Sequence, residues 1–391
     1  MTRGNEDTVK DLLELVGPPL VRNTKAAFKT AEVPRSWPKL MFPKMAFGLE
    51  FEIENIRALS AAITSLWQTK ADNSLRNHGV ELTICASGEE LTKALSVLAN
   101  ELPDDASFSE RTSTHVHVNI LNMTVSQLYA FVLLGILLED FLYRFTIAER
   151  KADVYCVPLK YTNLPDSMVW VRTLIRNHTE TNKYTQREEI AQLVACWHKY
   201  MGINLTRVRD IGTVEFRHLH GTRNMKEVIK WLNVLGKMKV YAMKHSLEEI
   251  EQEICMLNTS SEYMPFLEKV FGHKLLKNFD LTHFEKVIEE GVIGVKLCTN
   301  PFKYNSLRIS NASSLQDRFG LEVMPNGKVP AKNEMLMAQQ YAVGVVEDEL
   351  QRNMPPRYQR PVPGDAFEEL QLDLPEDDDY NDPDDGEREE N

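Results

Sequence analysis

The sequence predicts an α+β fold, on three observations. Short segments alternate strictly between apolar and polar residues, which is the period of a β-strand. Capping-box signatures mark helix starts between them. The two kinds of segment follow one another as strand, helix, strand, helix over roughly residues 46–245. Such strands turn their apolar side to amphipathic helices and keep the other side free for chemistry.

The first strand reads Phe47-Gly48-Leu49-Glu50-Phe51-Glu52-Ile53-Glu54, with the four apolar side chains on one side and Glu50, Glu52 and Glu54 on the other. Carboxylates two residues apart on one face are about 7 Å from each other and repel unless solvent or a cation intervenes. In Val80-Glu81-Leu82-Thr83-Ile84 the exposed side carries Glu81 and Thr83; in Thr114-His115-Val116-His117-Val118-Asn119-Ile120 it carries His115, His117 and Asn119. In Gly212-Thr213-Val214-Glu215-Phe216-Arg217, Glu215 and Arg217 share a face. If these strands join one sheet, its polar face gathers carboxylates, imidazoles and a guanidinium. Hard oxygen ligands of that kind suit Mg²⁺ or Mn²⁺.

Ser87 with Glu90 opens a helix to about Leu102, and Thr124 with Gln127 a long one to about Glu149. Asn224 with Glu227 opens one towards Lys244, and Thr282 with Glu285 a shorter one. Further helices are expected over Ser260 to Phe271 and from Lys332 towards Glu349. Trp197 and Trp231, on helical patterns, read as core residues. The longest apolar helical stretch, Leu128 to Leu138, is too short to span a bilayer and runs into Glu139-Asp140.

The net charge of -12 over 391 residues is concentrated at one end. From Asp365 to Asn391 fourteen acidic residues face one basic residue, Arg388, a net of -13 that leaves +1 for the preceding 364 residues. A nearly neutral body excludes a basic nucleic-acid footprint. The tail, introduced by Pro355, Pro356, Pro361 and Pro363, has the composition of a disordered segment and is a candidate docking element for a protein partner. The five cysteines, Cys85, Cys156, Cys196, Cys255 and Cys298, form no Cys-x-x-Cys and read as reduced, buried thiols. Met1 to Lys10 holds no apolar stretch of the secretory kind. The expectation is a soluble, cytoplasmic protein without membrane partners.

Taken in order, Glu-x-Glu, Glu, His-x-His and Glu-x-Arg resemble the active-site order of the glutamine synthetase and glutamate-cysteine ligase superfamily. More narrowly, Phe-Gly-Leu-Glu-Phe-Glu-Ile-Glu, Thr-His-Val-His-Val and Gly-Thr-Val-Glu-Phe-Arg-His-Leu-His-Gly-Thr-Arg-Asn are similar to signatures of the amidoligases of phages and bacteria, over roughly residues 46–245. The resemblance implies a curved, antiparallel-rich sheet forming a glutamine synthetase-like funnel, with helices on its outer face. It also implies an ATP-dependent carboxylate-amine ligase in which a small-molecule or peptide carboxylate is phosphorylated by ATP and an amine displaces phosphate. If the chain is phage-encoded, it would act in the host cytoplasm.

On that resemblance Glu50, Glu52, Glu81, His115 and Glu215 are metal ligands, and Arg217 contacts the transferring phosphate. His117 meets nucleotide or metal, and Asn204, in Gly202-Ile203-Asn204-Leu205, matches a nucleotide-side segment, with a backbone-capping role as an equal contender. Asp72-Asn73-Ser74 resembles an Asp-x-Ser turn near the site. Where family members run on into an Ile-Val-Ser-Pro-like stretch, Glu81 is followed here by Leu-Thr-Ile-Cys-Ala-Ser. The implied organisation is a leader over 1–45, partly disordered, a catalytic domain over 46–245, a helical extension over 246–350 and a disordered acidic tail over 351–391.

Each motif has a plain structural counterpart. The Glu row could be the solvated face of an edge strand, the His pair ordinary sheet residues, and Glu215 with Arg217 an ion pair. Arg111 and Arg144 could bind substrate carboxylate or phosphate, or form surface ion pairs. Two other functions fit parts of the pattern: a metal-dependent amide hydrolase, since His and carboxylates also hold Zn²⁺, and a silent scaffold of the same fold.

Overall fold

A computed structural model describes residues 7–16, 31–72, 74–147, 150, 155–159, 168, 171–172, 175, 182–195, 197, 199–257 and 259–299. The four polar-faced segments become β1 (Ala46–Ile53), β3 (Val80–Ser87), β4 (Ser113–Asn119) and β6 (Thr213–His220). Two strands without an alternation signal complete the sheet: β2 (Gln68–Ala71), all of it exposed, and β5 (Ile203–Asn204), only two residues long. The order is β2-β3-β1-β4-β6-β5, and every pairing is antiparallel.

Register, more than strand identity, builds the polar face. Glu52 lies opposite Glu81, Glu50 opposite His115, and His117 opposite both Gly48 and Glu215, with Asn204 beyond Glu215. The pairing of β4 with β6 slips at one point. Val116 faces Phe216 but Thr114 faces Leu219, so Arg217 and His218 together oppose His115. Such a bulge re-aims side chains, and bulges recur beside functional sites.

The opposite face carries Phe47, Leu49, Phe51, Val116, Val118, Val214 and Phe216, all buried. Against it lie α3 (Gly88–Glu101), α4 (Val125–Leu142) and α7 (Met225–Lys244), and Phe131 of α4 meets Phe216 at 5.7 Å between ring centroids. Helix α4 is apolar on all sides because it is enclosed on all sides. Truncating one of its fully buried leucines, Leu134 for instance, should cost about 2–5 kcal/mol. Helices α8 (Leu247–Met256), α9 (Ser260–Phe271) and α11 (Phe284–Thr299) pack outside α4 and α7 in the same core. The short α1 (Val9–Leu13) is pinned through its Val9 and Lys10 amides to the carbonyls of Met123 and Leu121, and α2 (Ala61–Leu66), α5 (Lys183–Ala195), α6 (Val208–Ile211) and α10 (His273–Leu276) complete the series of α-helices bounded by described residues.

Several boundaries differ from expectation. Thr124 and Gln127 form the reciprocal cap, but α4 ends at Leu142, not near Glu149. It tightens into a 3₁₀ turn over Tyr143–Phe145, where Tyr143 donates to the Cys156 carbonyl and Arg144 pairs with Asp280 at 3.4 Å. At 21 residues with the turn, this segment is long and apolar enough to cross a bilayer, contrary to the sequence reading; it is a core helix, with 83% of its apolar window buried. Ser87 and Asn224 make no side-chain cap. The helix expected after Thr282 starts at Phe284, because His283 sits at φ 50°, outside helical space. The helix expected from Lys332 and the acidic tail lie outside the described residues. Of the thiols expected to be buried, Cys156 is, whereas Cys255 is exposed.

Candidate active site

Glu50 is the hub of the polar face, on the strand between β3 and β4. Its Oε2 lies 3.1 Å from His115 Nδ1 and its Oε1 lies 3.0 Å from His117 Nε2. Burial alone would raise this carboxyl, but hydrogen bonds and charge from His115 and His117 outweigh it and hold Glu50 well below the usual carboxylate range. His117 responds in the opposite sense. Burial would push it down, yet the Glu50 hydrogen bond and the Glu50 and Glu215 charges hold it above its ordinary value.

Glu215 completes the centre. Its Oε1 accepts from Arg217 Nη1 at 2.5 Å and lies 3.5 Å from His115 Nδ1, and its Oε2 accepts from Asn204 Nδ2 at 2.7 Å. Burial is again overridden: Arg217 and the two imidazoles keep Glu215 below its normal value. Arg217 is disfavoured by burial, but the Glu215 and Glu52 charges more than restore it, so its charge is fixed. The guanidinium also donates through Nε to the Tyr155 carbonyl at 2.9 Å. Asn204 takes the backbone-capping role, its Oδ1 accepting from the Thr206 amide at 2.8 Å, while its amide holds Glu215.

Glu50, His117 and Glu215 present one ligand atom each within 4.8 Å of one another, a spacing that suits a metal ion. Glu81 stands further along β3, raised by burial and by the Glu50 charge, with Lys70 on the neighbouring edge strand 3.8 Å away. A divalent cation fits this donor set, because four carboxylates share one face, and of the nearby cations among the described residues only Arg217, on Glu215, and Lys70, near Glu81, pair with them.

Glu50, Glu52, Glu81, His115, Asn204, Glu215 and Arg217 all line one cavity of about 780 Å³, joined by Arg111, Lys199 and Arg207. Arg111 donates to the Ser74 carbonyl at 3.2 Å, which places the Asp72-to-Ser74 turn at this rim, with Asn73 outside the described residues. Arg144 is elsewhere, paired with Asp280 and donating to the Thr282 carbonyl.

Sequence reasoning missed the residues that orient these groups. Ser113 Oγ donates to Glu52 Oε2 at 2.5 Å and sits 2.6 Å from His115 Nε2. Its single proton goes to the carboxylate, so its oxygen accepts from His115 Nε2–H, which turns the Nδ1 edge of the ring towards Glu50 and Glu215. Extending the β4 alternation one step back from His115 reaches Ser113. Thr213 Oγ1 lies 3.0 Å from His117 Nδ1. Gly48 leaves room for His117, whose Cβ would be 3.0 Å from any Cβ added there; a glycine inside an alternating strand was the signal. Arg150 donates twice to the Arg217 carbonyl. Trp197 is buried as expected but lines the cavity, and its Nε1 has no hydrogen-bond acceptor among the described residues.

The histidine that follows the Glu-x-Arg motif behaves differently. His218 is fully buried on the helix side, 4.7 Å from the Tyr143 ring and 6.0 Å from that of Trp231, and burial followed by the Arg150 charge pushes it down to about 3.

Comparison with known proteins adds three findings. A solved structure, the crystal structure of a bifunctional glutathione synthetase from Pasteurella multocida, is 12% identical, with a TM-score of 0.28 over 80% of this chain and 53% of that one. The chain thus spans about half the length of that protein. Among curated proteins none matches. The model of the family described as "Putative amidoligase enzyme" matches residues 70–237, so the segment carrying Glu81, both site histidines, Glu215 and Arg217 is similar to that family.

Proposed function

We propose that the protein is a carboxylate-amine ligase that uses ATP with Mg²⁺ or Mn²⁺ and forms an amide through an acyl phosphate, as a glutamine synthetase-like member of the amidoligases. The observation that carries this reading is the Glu50-His117-Glu215 cluster with Arg217 bonded to Glu215, at the wall of a cavity that also holds Arg111, Lys199 and Arg207. A hydrolase has no need of that surplus of fixed cations. A triphosphate does.

In this reading Glu50, His117 and Glu215 hold the metal ion, with His115, Glu52 and Glu81 beside them. The ion supplies charge neutralisation on phosphate oxygens when bound. The imidazoles in the donor set favour Mn²⁺ over Mg²⁺. Arg217, clamped by the Tyr155 carbonyl and by Glu215, meets the charge that develops on the transferring phosphoryl group. The substrate carboxylate takes that group and ADP leaves. The amine nitrogen then attacks the acyl carbon, and the bond to phosphate breaks. Trp197, Tyr155 and Tyr200 offer ring faces and an indole donor to the nucleoside at the same cavity. The leader, helical extension and acidic tail, with any partner on that tail, lie outside this chemistry.

Incubation with ATP, Mn²⁺ or Mg²⁺, hydroxylamine and a panel of amino acids and peptides should release ADP and phosphate in step with hydroxamate formation. One observation favours a second reading, since the same three residues could hold Zn²⁺ and activate water. Amide hydrolysis without ATP would establish that alternative.

A further inference from the structure

The polar face holds two cavities, and Glu50 and Glu81 belong to both. The smaller, of about 380 Å³, lies across the ridge formed by Glu50 and His117. Its walls include Leu66, Cys85 and Ile211, with Gln68, Thr83 and Asn119 as neutral polar groups. Among the described residues its one lysine or arginine is Lys70, which also lines the larger cavity and stands 3.8 Å from Glu81, and His117 is engaged by Glu50 at 3.0 Å. The larger cavity, about 780 Å³, holds Arg111, Lys199, Arg207 and Arg217 besides Lys70.

Size and charge divide the reactants between them. A triphosphate needs the fixed cations and the larger volume, and so does a carboxylate substrate. Neither finds a free positive charge in the smaller cavity. What that cavity offers is two carboxylates at its inner rim and apolar walls behind, the complement of an ammonium group on a compact body.

We propose that the smaller cavity seats the acyl acceptor, a primary amine on a small, largely uncharged body, which reaches the reacting carbonyl across the ridge at Glu50 and His117. The assignment rests on the ligase reading above. The amine enters as an ammonium and loses one proton to solvent. Its nitrogen lone pair then attacks the acyl carbon, and the carbon–oxygen bond to phosphate breaks with its electron pair leaving on phosphate. A second N–H proton departs with hydrogen phosphate, so one proton is released per amide formed. An acceptor with its own carboxylate, such as a free amino acid, would bring a second negative charge to Glu50 and Glu81 and is excluded.

The test uses the full chain with propylamine and propionate, which match in size and differ in charge. Saturation-transfer NMR should show propylamine bound to the wild type and propionate not bound at this cavity. Cys85→Phe, which fills the wall, and Gln68→Trp, on the exposed edge strand where misfolding is not at issue, should each weaken propylamine binding at least about tenfold. Both should leave Mn²⁺-dependent binding of a non-hydrolysable ATP analogue within about twofold. Unchanged propylamine binding in both variants, absence of propylamine binding to the wild type, or loss of the nucleotide analogue instead of the amine overturns the assignment. If propylamine follows the expected pattern but the wild type binds no nucleotide with either metal, the amine cavity stands and the ligase reading falls.

Discussion

His117 and His218 occupy neighbouring strands on opposite faces of one sheet, and their surroundings move them in opposite directions. On the cavity side, carboxylates outweigh burial and hold His117 above its ordinary value. On the helix side, the rings of Tyr143 and Trp231 lie tilted beside His218, and burial, followed by the Arg150 charge, pushes it down to about 3. The same residue type is thus a charged-site component on one face and a neutral packing group on the other. What separates them is the balance of surroundings: the Glu50 hydrogen bond and the Glu215 charge prevail over burial at His117, whereas at His218 complete burial and the Arg150 charge prevail although Glu139 lies 3.6 Å from its Nε2.

The largest effect that could break this contrast is acid destabilisation. A histidine whose folded value is depressed binds its proton more weakly in the native state, so stability falls as pH drops from about 6.5 towards 3. For His218 this should amount to roughly 3–5 kcal/mol. Chemical denaturation at stepped pH should show His218→Phe flattening that loss. His117→Gln should alter the other limb, because a raised histidine contributes below its unfolded value and loses that contribution as pH rises through the folded one. If both substitutions change the same limb, the contrast is wrong.

Next is Arg217→Ala, expected to slow ATP-dependent turnover by on the order of a hundredfold or more. Calorimetric titration with Mn²⁺ should find metal binding retained, since a guanidinium is no ligand. Loss of metal binding with the guanidinium would mark Arg217 as a structural partner of Glu215 alone.

Ser113→Ala should weaken Mn²⁺ binding by about tenfold to a hundredfold, the range for residues that orient a ligand. The nitrogen-15 shift of His115 Nε2 should change in parallel, because that nitrogen loses its hydrogen-bond acceptor. An unchanged Nε2 shift would remove Ser113 from the site. The smallest effect is expected from Gly48→Ala, whose new Cβ crowds His117 and should cost about 1 kcal/mol while lowering metal affinity. A thermal shift without any change in metal affinity would show that His117 tolerates displacement.

Much of the cavity side was legible because its chemistry follows strand alternation: β1, β3, β4 and β6 lie within a few residues of their expected limits. β2 was not, since Gln-Thr-Lys-Ala has no apolar alternation to read, and β5 is defined by its pairing with β6 alone. The reciprocal cap at Ser246 with Glu249 is not among the signals read from the sequence, while Ser87 and Asn224 carry the signature without forming the bond. A capping motif states what a side chain can reach, and the tertiary setting decides whether it does. The role of Ser113 depends on Glu52 lying across the strand pair, which alternation within one strand does not disclose.

The family match begins at residue 70, after β1 has ended. Yet β1 pairs with both β3 and β4, and it carries Glu50. A polypeptide cut to residues 70–237 would therefore keep the matched segment while losing the strand that joins the two halves of the sheet. Because the pairings of β1 span such different loop lengths, the binding centre can close only after slow, non-local zipping of the chain, and metal uptake should report completion of folding.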